Sequence, residues 1–149
     1  MDVNTYAYTG NNDFLEYTFY SKGPKGQIKK VVRFTNRIAN GISYYNLGFG
    51  DWNKDEEKLD DFIATNNLDT EMVLATIASI VIDFSTRFPE VVIYATGSTD
   101  SRTRRYQMGI NKYFNDIETL FDIYGYVETN GWEDFKKGKN YDAFLVRRK

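Results

Sequence analysis

The chain contains no cysteine and no histidine in its 149 residues. Without cysteine there is no disulfide and no thiolate chemistry. Without histidine, a zinc site and a Ser-His-Asp triad are excluded, since imidazole is the commonest metal ligand and the usual general base near neutral pH. Any catalysis rests on Tyr, Ser, carboxylates, Lys, Arg or a cofactor. No motif calls for a cofactor, and neither cofactor nor metal is expected. Proline is scarce, with Pro24 in a turn sequence and Pro89 after an apolar periodic segment. No apolar run approaches the ~18 residues of a transmembrane helix. The opening MDVNTYAY has neither the basic start nor the apolar centre of a signal peptide, so a cytoplasmic location without a membrane partner is expected.

What is present is aromatic and unevenly charged. The 12 Tyr, 11 Phe and 2 Trp give a chain of this length ample material for one core, and a single domain over 1–149 is expected. The net charge of -2 hides segregation. Acids dominate from Asp51 to Glu71, while every charge from Lys22 to Arg37 is basic. Such a basic stretch suits either a solvated strand face or a nucleic-acid contact.

Periodicity predicts the order β-β-β-α-β-α-β-β. FLEYTFY (14–20) and QIKKVVRFT (27–35) flank the turn sequence SKGPKG. The second run sets Ile28, Val32 and Phe34 on one parity with Lys29 and Arg33 on the other, which reads as a hairpin with one wetter face. ISYYNLGFG (42–50) follows the turn NRIANG, and Gly48 and Gly50 suggest a bulge or a close backbone approach. The acidic connection 51–67 is expected to be pinned by Leu59, Phe62 and Ile63 as a short helical turn. Asp69 suits the N-cap of a helix over 69–88, with Leu68 placed to staple onto Val73. Met72, Val73, Ile77, Ile80, Val81, Phe84 and Phe88 make it the central buried helix. VVIYAT (91–96) reads as a strand covered on both faces. A second helix carries Tyr106, Ile110, Tyr113, Phe114 and Ile117 on one stripe. LFDIYGYVE is expected as a strand, NGWEDFKKGKN as a loop and YDAFLVRR as a last strand. The fold class expected is α+β, a twisted and mainly antiparallel sheet with two principal helices.

The segment ATGSTDSRTRRY (95–106) raises the functional question. A strand ends at Thr96, the chain turns through Gly97, Ser98 and Thr99, and a helix begins. Free amides and the positive end of a helix dipole point out of such a turn, and glycine lets an anion approach the backbone. Ser98, Thr99 and Ser101 add hydroxyls, with Arg102 on the inward row of Tyr106, Arg105 beside it and Arg104 toward solvent. Gly97, Ser98, Thr99, Ser101, Arg102 and Arg105 therefore form a candidate phosphate cradle, which Asn66, Asn67 and Asp69 would join if both helix starts meet at one sheet edge, unless they form only an Asx turn and cap. The alternative is a helix cap made by Thr99 or Ser98 with Arg102 paired to a carboxylate such as Asp51 or Asp69. It is not a Walker loop, whose spacing and lysine are absent. Tyr44, Tyr45, Phe49 and Trp132 are candidates either for stacking a base or for the core.

The element order resembles the C-terminal two-thirds of the GNAT acyltransferase fold. That resemblance implies Tyr106 as the general acid that protonates a departing thiolate. The family's pyrophosphate loop, Arg/Gln-x-x-Gly-x-Gly/Ala, is replaced by Asp69-Thr70-Glu71-Met72. SKGPKGQIKKV (21–31), NLGFGD (46–51), NNLDTEMVLAT (66–76) and ATGSTDSRTRRYQMGI (95–110) more closely resemble a family of small bacterial proteins of unknown function, which implies boundaries and no activity. The leading expectation is a cytoplasmic protein that binds a phosphate-bearing small molecule or nucleic acid at 97–105, its small size also suiting one component of a toxin–antitoxin or defence pair. The alternatives are a degenerate acyltransferase using Tyr106, and a non-catalytic module that meets a protein partner or a second copy of itself along a strand edge.

Overall fold

A computed structural model describes residues 4–60, 66–97 and 99–149. Nine strands form one sheet among these residues: β1 (Thr9–Gly10), β2 (Glu16–Gly23), β3 (Gly26–Ala39), β4 (Ile42–Asn53), β5 (Lys58–Asp60), β6 (Val92–Ala95), β7 (Phe121–Val127), β8 (Gly131–Asp134) and β9 (Ala143–Arg148). The helices are α1 (Thr70–Arg87), α2 (Asp100–Lys112) and the single turn α3 (Phe114–Ile117). The order across the sheet is β1-β2-β3-β4-β6-β9-β7-β8, with β5 paired beside β4. All pairings are antiparallel except β4 with β6. The class is α+β, and the expected sequence of elements is present as β2, β3, β4, α1, β6, α2, β7 and β9.

The long β3–β4 hairpin closes on Asn40 and Gly41, both at positive φ (52° and 77°), the backbone of a two-residue hairpin turn. Its register runs without interruption from Lys30↔Asp51 to Ala39↔Ile42, so Gly48 and Gly50 mark no bulge in this pair. The core lies between one sheet face and α1. Ile80 and Phe84 are fully buried, and the Phe84 ring stacks on Phe34 with centroids 3.8 Å apart. Burial of such rings is the main stabilising term for this layer. Parallel β4 and β6 are joined through α1, and α2 packs beside α1 over the same face, where Tyr106 and Ile110 meet the core.

Several expectations change. Residues 131–134 are strand, not loop, because a turn at Gly131 (φ 73°) returns the chain along β7 and pairs Trp132 with Tyr126. Leu59 belongs to β5, not a helical turn, while Phe62 and Ile63 lie outside the described residues. Leu68 makes no staple: it is 79% exposed and sits at φ 59°, which turns it away from α1. The second helix breaks at Tyr113 (φ -105°, ψ 18°), so its stripe is shared between α2 and α3. β6 is not covered equally on both sides. Ile93 and Ala95 are buried under the helices, whereas Val92 and Tyr94 on the opposite face are half-buried.

Candidate functional site

The parallel pairing of β4 and β6 decides where the two helix starts go. β5 keeps the chain at the C-terminal end of β4 before α1 begins, and α2 begins past the C-terminal end of β6, so both helix N-termini arrive at one end of the sheet. There β6 stops pairing at Leu47↔Ala95, and β5 takes up the same side of β4 only from Asp51. In the interval between them the Arg102 guanidinium donates to the Phe49 carbonyl. Arg102 thus stands where a neighbouring strand is missing, which accounts for its burial in the first turn of α2.

A pocket opens at this junction. Its polar lining comprises Lys30 from β3, Asn66, Asp69 and Thr70 from the start of α1, and Arg102, Arg105 and Tyr106 from α2. The space within it is small, near 30 Å³, room for about two waters, and it is partly open to solvent. Lys30 is 2% exposed, and its Nζ lies 2.5 Å from Asp51 Oδ1. Asp69 occupies the N-cap position of α1, yet its side chain caps nothing. It accepts instead from Tyr6 Oη at 2.6 Å and Ser21 Oγ at 2.5 Å. Three cations, Lys30, Arg102 and Arg105, and two carboxylates, Asp51 and Asp69, therefore meet here, and Asp60 stands opposite Asp51 in register across β4 and β5. Desolvation raises the Tyr6 hydroxyl above its usual range, and its bond to Asp69 adds to this.

The expected site residues divide between this pocket and its supports. Asn66, Arg102, Arg105 and Tyr106 line the pocket together. Asn66 also closes an Asx turn, its Oδ1 accepting from Leu68 N at 2.9 Å. Asn67 is buried elsewhere and holds the β2–β3 turn: its amide donates to Gly26 O at 2.9 Å and its Oδ1 accepts from Lys25 N at 2.7 Å. Thr99 caps α2, accepting from Arg102 N at 3.3 Å. The Gly97 amide is engaged, donating to Thr103 Oγ1 at 3.0 Å. Ser101 is exposed, and Ser98 lies outside the described residues. Arg104 is exposed and donates to Tyr141 O at 3.2 Å.

Lys30 and Thr70 were not among the expected site residues, and Asp51 was expected only as one carboxylate that Arg102 could pair with. A signal for Lys30 was present, since it shares the parity of Ile28, Val32 and Phe34 and so faces the core side of β3. The aromatic candidates also divide. Tyr45 and Phe49 join the core, while Tyr44 lies edge-on to Tyr94 on the opposite sheet face, where Tyr94 meets Trp132.

Behind the pocket is a second space of about 80 Å³, lined by carbon side chains from α1, α2 and the sheet, with Tyr106 at its boundary. Among the described residues no helix is long and apolar enough to cross a membrane, and no three acidic side chains gather into a metal-binding cluster.

No curated protein and no solved structure is significantly similar to the chain. Residues 2–149 match the profile of a family of unknown function (DUF6934). The match spans the whole sheet and both helix starts, and the chain belongs to that family.

Proposed function

We propose that the protein binds a phosphate-bearing ligand, a nucleotide or nucleic acid among them, at the junction of the α1 and α2 N-termini. One observation carries this reading: Lys30, Arg102 and Arg105 converge on a single pocket from β3 and α2. Cations combined with the dipole end of α2 favour an anion over a neutral group, whereas at the α1 end the Asp69 carboxylate already answers the dipole. Arg105 is the arginine to test, because Arg102 already ties α2 to β4 through the Phe49 carbonyl. In a thermal-shift panel of inorganic phosphate, pyrophosphate and mononucleotides, a ligand at 100 times its dissociation constant stabilises by about 2.7 kcal/mol. For a chain of this size that raises the melting temperature by about 5–10 °C. Arg105→Ala should abolish the shift while leaving the unliganded protein folded. Unchanged melting across the panel at millimolar ligand would overturn the reading.

A second reading, acyl transfer with Tyr106 as general acid, draws support from the position of Tyr106 between the cations and the apolar space. The Asp69 carboxylate at the start of α1 opposes a pyrophosphate there. Calorimetry with acetyl coenzyme A separates the readings: micromolar binding would favour acyl transfer, and its absence the simpler anion site.

A further inference from the structure

The polar pocket and the apolar space behind it are neighbours. Leu74, Ile77 and Tyr106 line both, so nothing wider than these side chains separates the cations from the apolar space. The inner lining offers almost no polar partners, and a bound water requires two to four. Such a space is dry or filled by carbon. A dry cavity of about 150 Å³ accepts benzene. The present one, near 80 Å³, matches an unbranched chain of about three or four carbons on the same scale. A nucleobase, larger than benzene, does not fit it.

Granted the phosphate reading above, on which this step rests, we infer that the ligand is a short-chain alkyl phosphate monoester. Its headgroup meets Lys30, Arg102 and Arg105, and its tail passes Tyr106 into the space between α1, α2 and the sheet. The two halves of the site then match the two halves of one amphipathic molecule. The inference also gives a use to the partly open apolar space between α1, α2 and the sheet.

Chain-length dependence tests this. Binding of inorganic, methyl, butyl and hexyl phosphate to the full chain is measured by calorimetry. Each buried methylene contributes about fourfold in affinity, so butyl phosphate should bind about sixtyfold more tightly than methyl phosphate across three methylenes. Hexyl phosphate should gain nothing more. Ala78→Leu, which fills the inner space from α1, should remove the chain-length dependence while inorganic phosphate still binds. Should Ala78→Leu fail to fold, Gly109→Ala narrows the same space with a methyl 3.7 Å from Leu74 Cδ2, an ordinary contact. Equal affinity for all four phosphates would overturn the alkyl inference and leave the anion site standing. Absence of binding by any of them would overturn both.

Discussion

Replacing Gly97 with Ala tests what this glycine is for. Its backbone lies outside the left-handed region, so φ imposes no need for glycine. A Cβ there would stand 2.3 Å from Thr103 N, 2.5 Å from Arg102 Cβ and 2.6 Å from Arg102 C. Two of these atoms are backbone, so no rotamer change relieves the clash. Tolerable contact begins near 3.4 Å, and 3.4 minus 2.3 requires the first turn of α2 to retreat by about 1.1 Å. Overpacking of this kind costs about 1–3 kcal/mol. The retreat also stretches the Gly97 amide bond to Thr103 Oγ1, 3.0 Å long in the native chain, at a further ~0.5–1.5 kcal/mol. The sum, about 1.5–4.5 kcal/mol, corresponds to a fall in melting temperature of about 5–14 °C at ~3 °C per kcal/mol. Differential scanning calorimetry of Gly97→Ala without ligand reads this directly. A variant that melts within 1 °C of the parent would refute the argument and return Gly97 to the anion-cradle role suggested by the motif.

Two further perturbations follow from the core and from the tyrosines. Ile80 is fully buried at the centre of α1, so Ile80→Asp places an unpaired charge in the core and should prevent folding; a soluble, cooperatively melting variant would contradict the packing described. Tyr8 is pushed up to about 12, first by burial and then by its hydrogen bond to Asp83, made at 2.8 Å. The folded chain thus keeps this proton at higher pH than the unfolded chain, and the stability it supplies is intact below pH 10 and lost as pH rises from about 10 toward 12. Tyr8→Phe should flatten part of the alkaline fall in melting temperature between those limits, and an unchanged slope would remove Tyr8 from the linkage.

The fold was legible where one periodicity dominates. The apolar stripe of 69–88 marks α1, and the alternation in 27–35 marks β3. Legibility failed where a partner from far along the chain sets the structure. Trp132 and its neighbours read as a polar loop, yet they become strand because Tyr126 and the Gly131 turn supply a cross-strand partner. The closing segment YDAFLVRR reads as a strand, but nothing local places it between β6 and β7, near the middle of the sheet. Leu68 failed for a different reason. A hydrophobic staple needs the residue before the cap to fold back on the helix, and the left-handed backbone at Leu68 points it outward.

The site shows the same division more sharply, because a motif reports only local geometry. Within 97–105, the glycine, threonine and backbone amides are largely occupied in fastening α2 to the end of β6. The groups turned toward the pocket come from three separated places: Lys30 on β3, Asn66 and Thr70 at the start of α1, and Arg102, Arg105 and Tyr106 on α2. What assembles them is the parallel pairing of β4 with β6, a contact between strands far apart in sequence. No spacing rule within either segment encodes that pairing. Lys30 makes the point best. In the hairpin alone a lysine among apolar neighbours looks like an error of pattern, and burying it unpaired would be costly. Asp51, paired with it across β3 and β4, makes the burial tolerable and fixes the ammonium beside the ends of two helices. A lysine out of pattern on a buried strand face, with an acid directly opposite in register, is therefore a better pointer to this site than the glycine-serine-threonine loop.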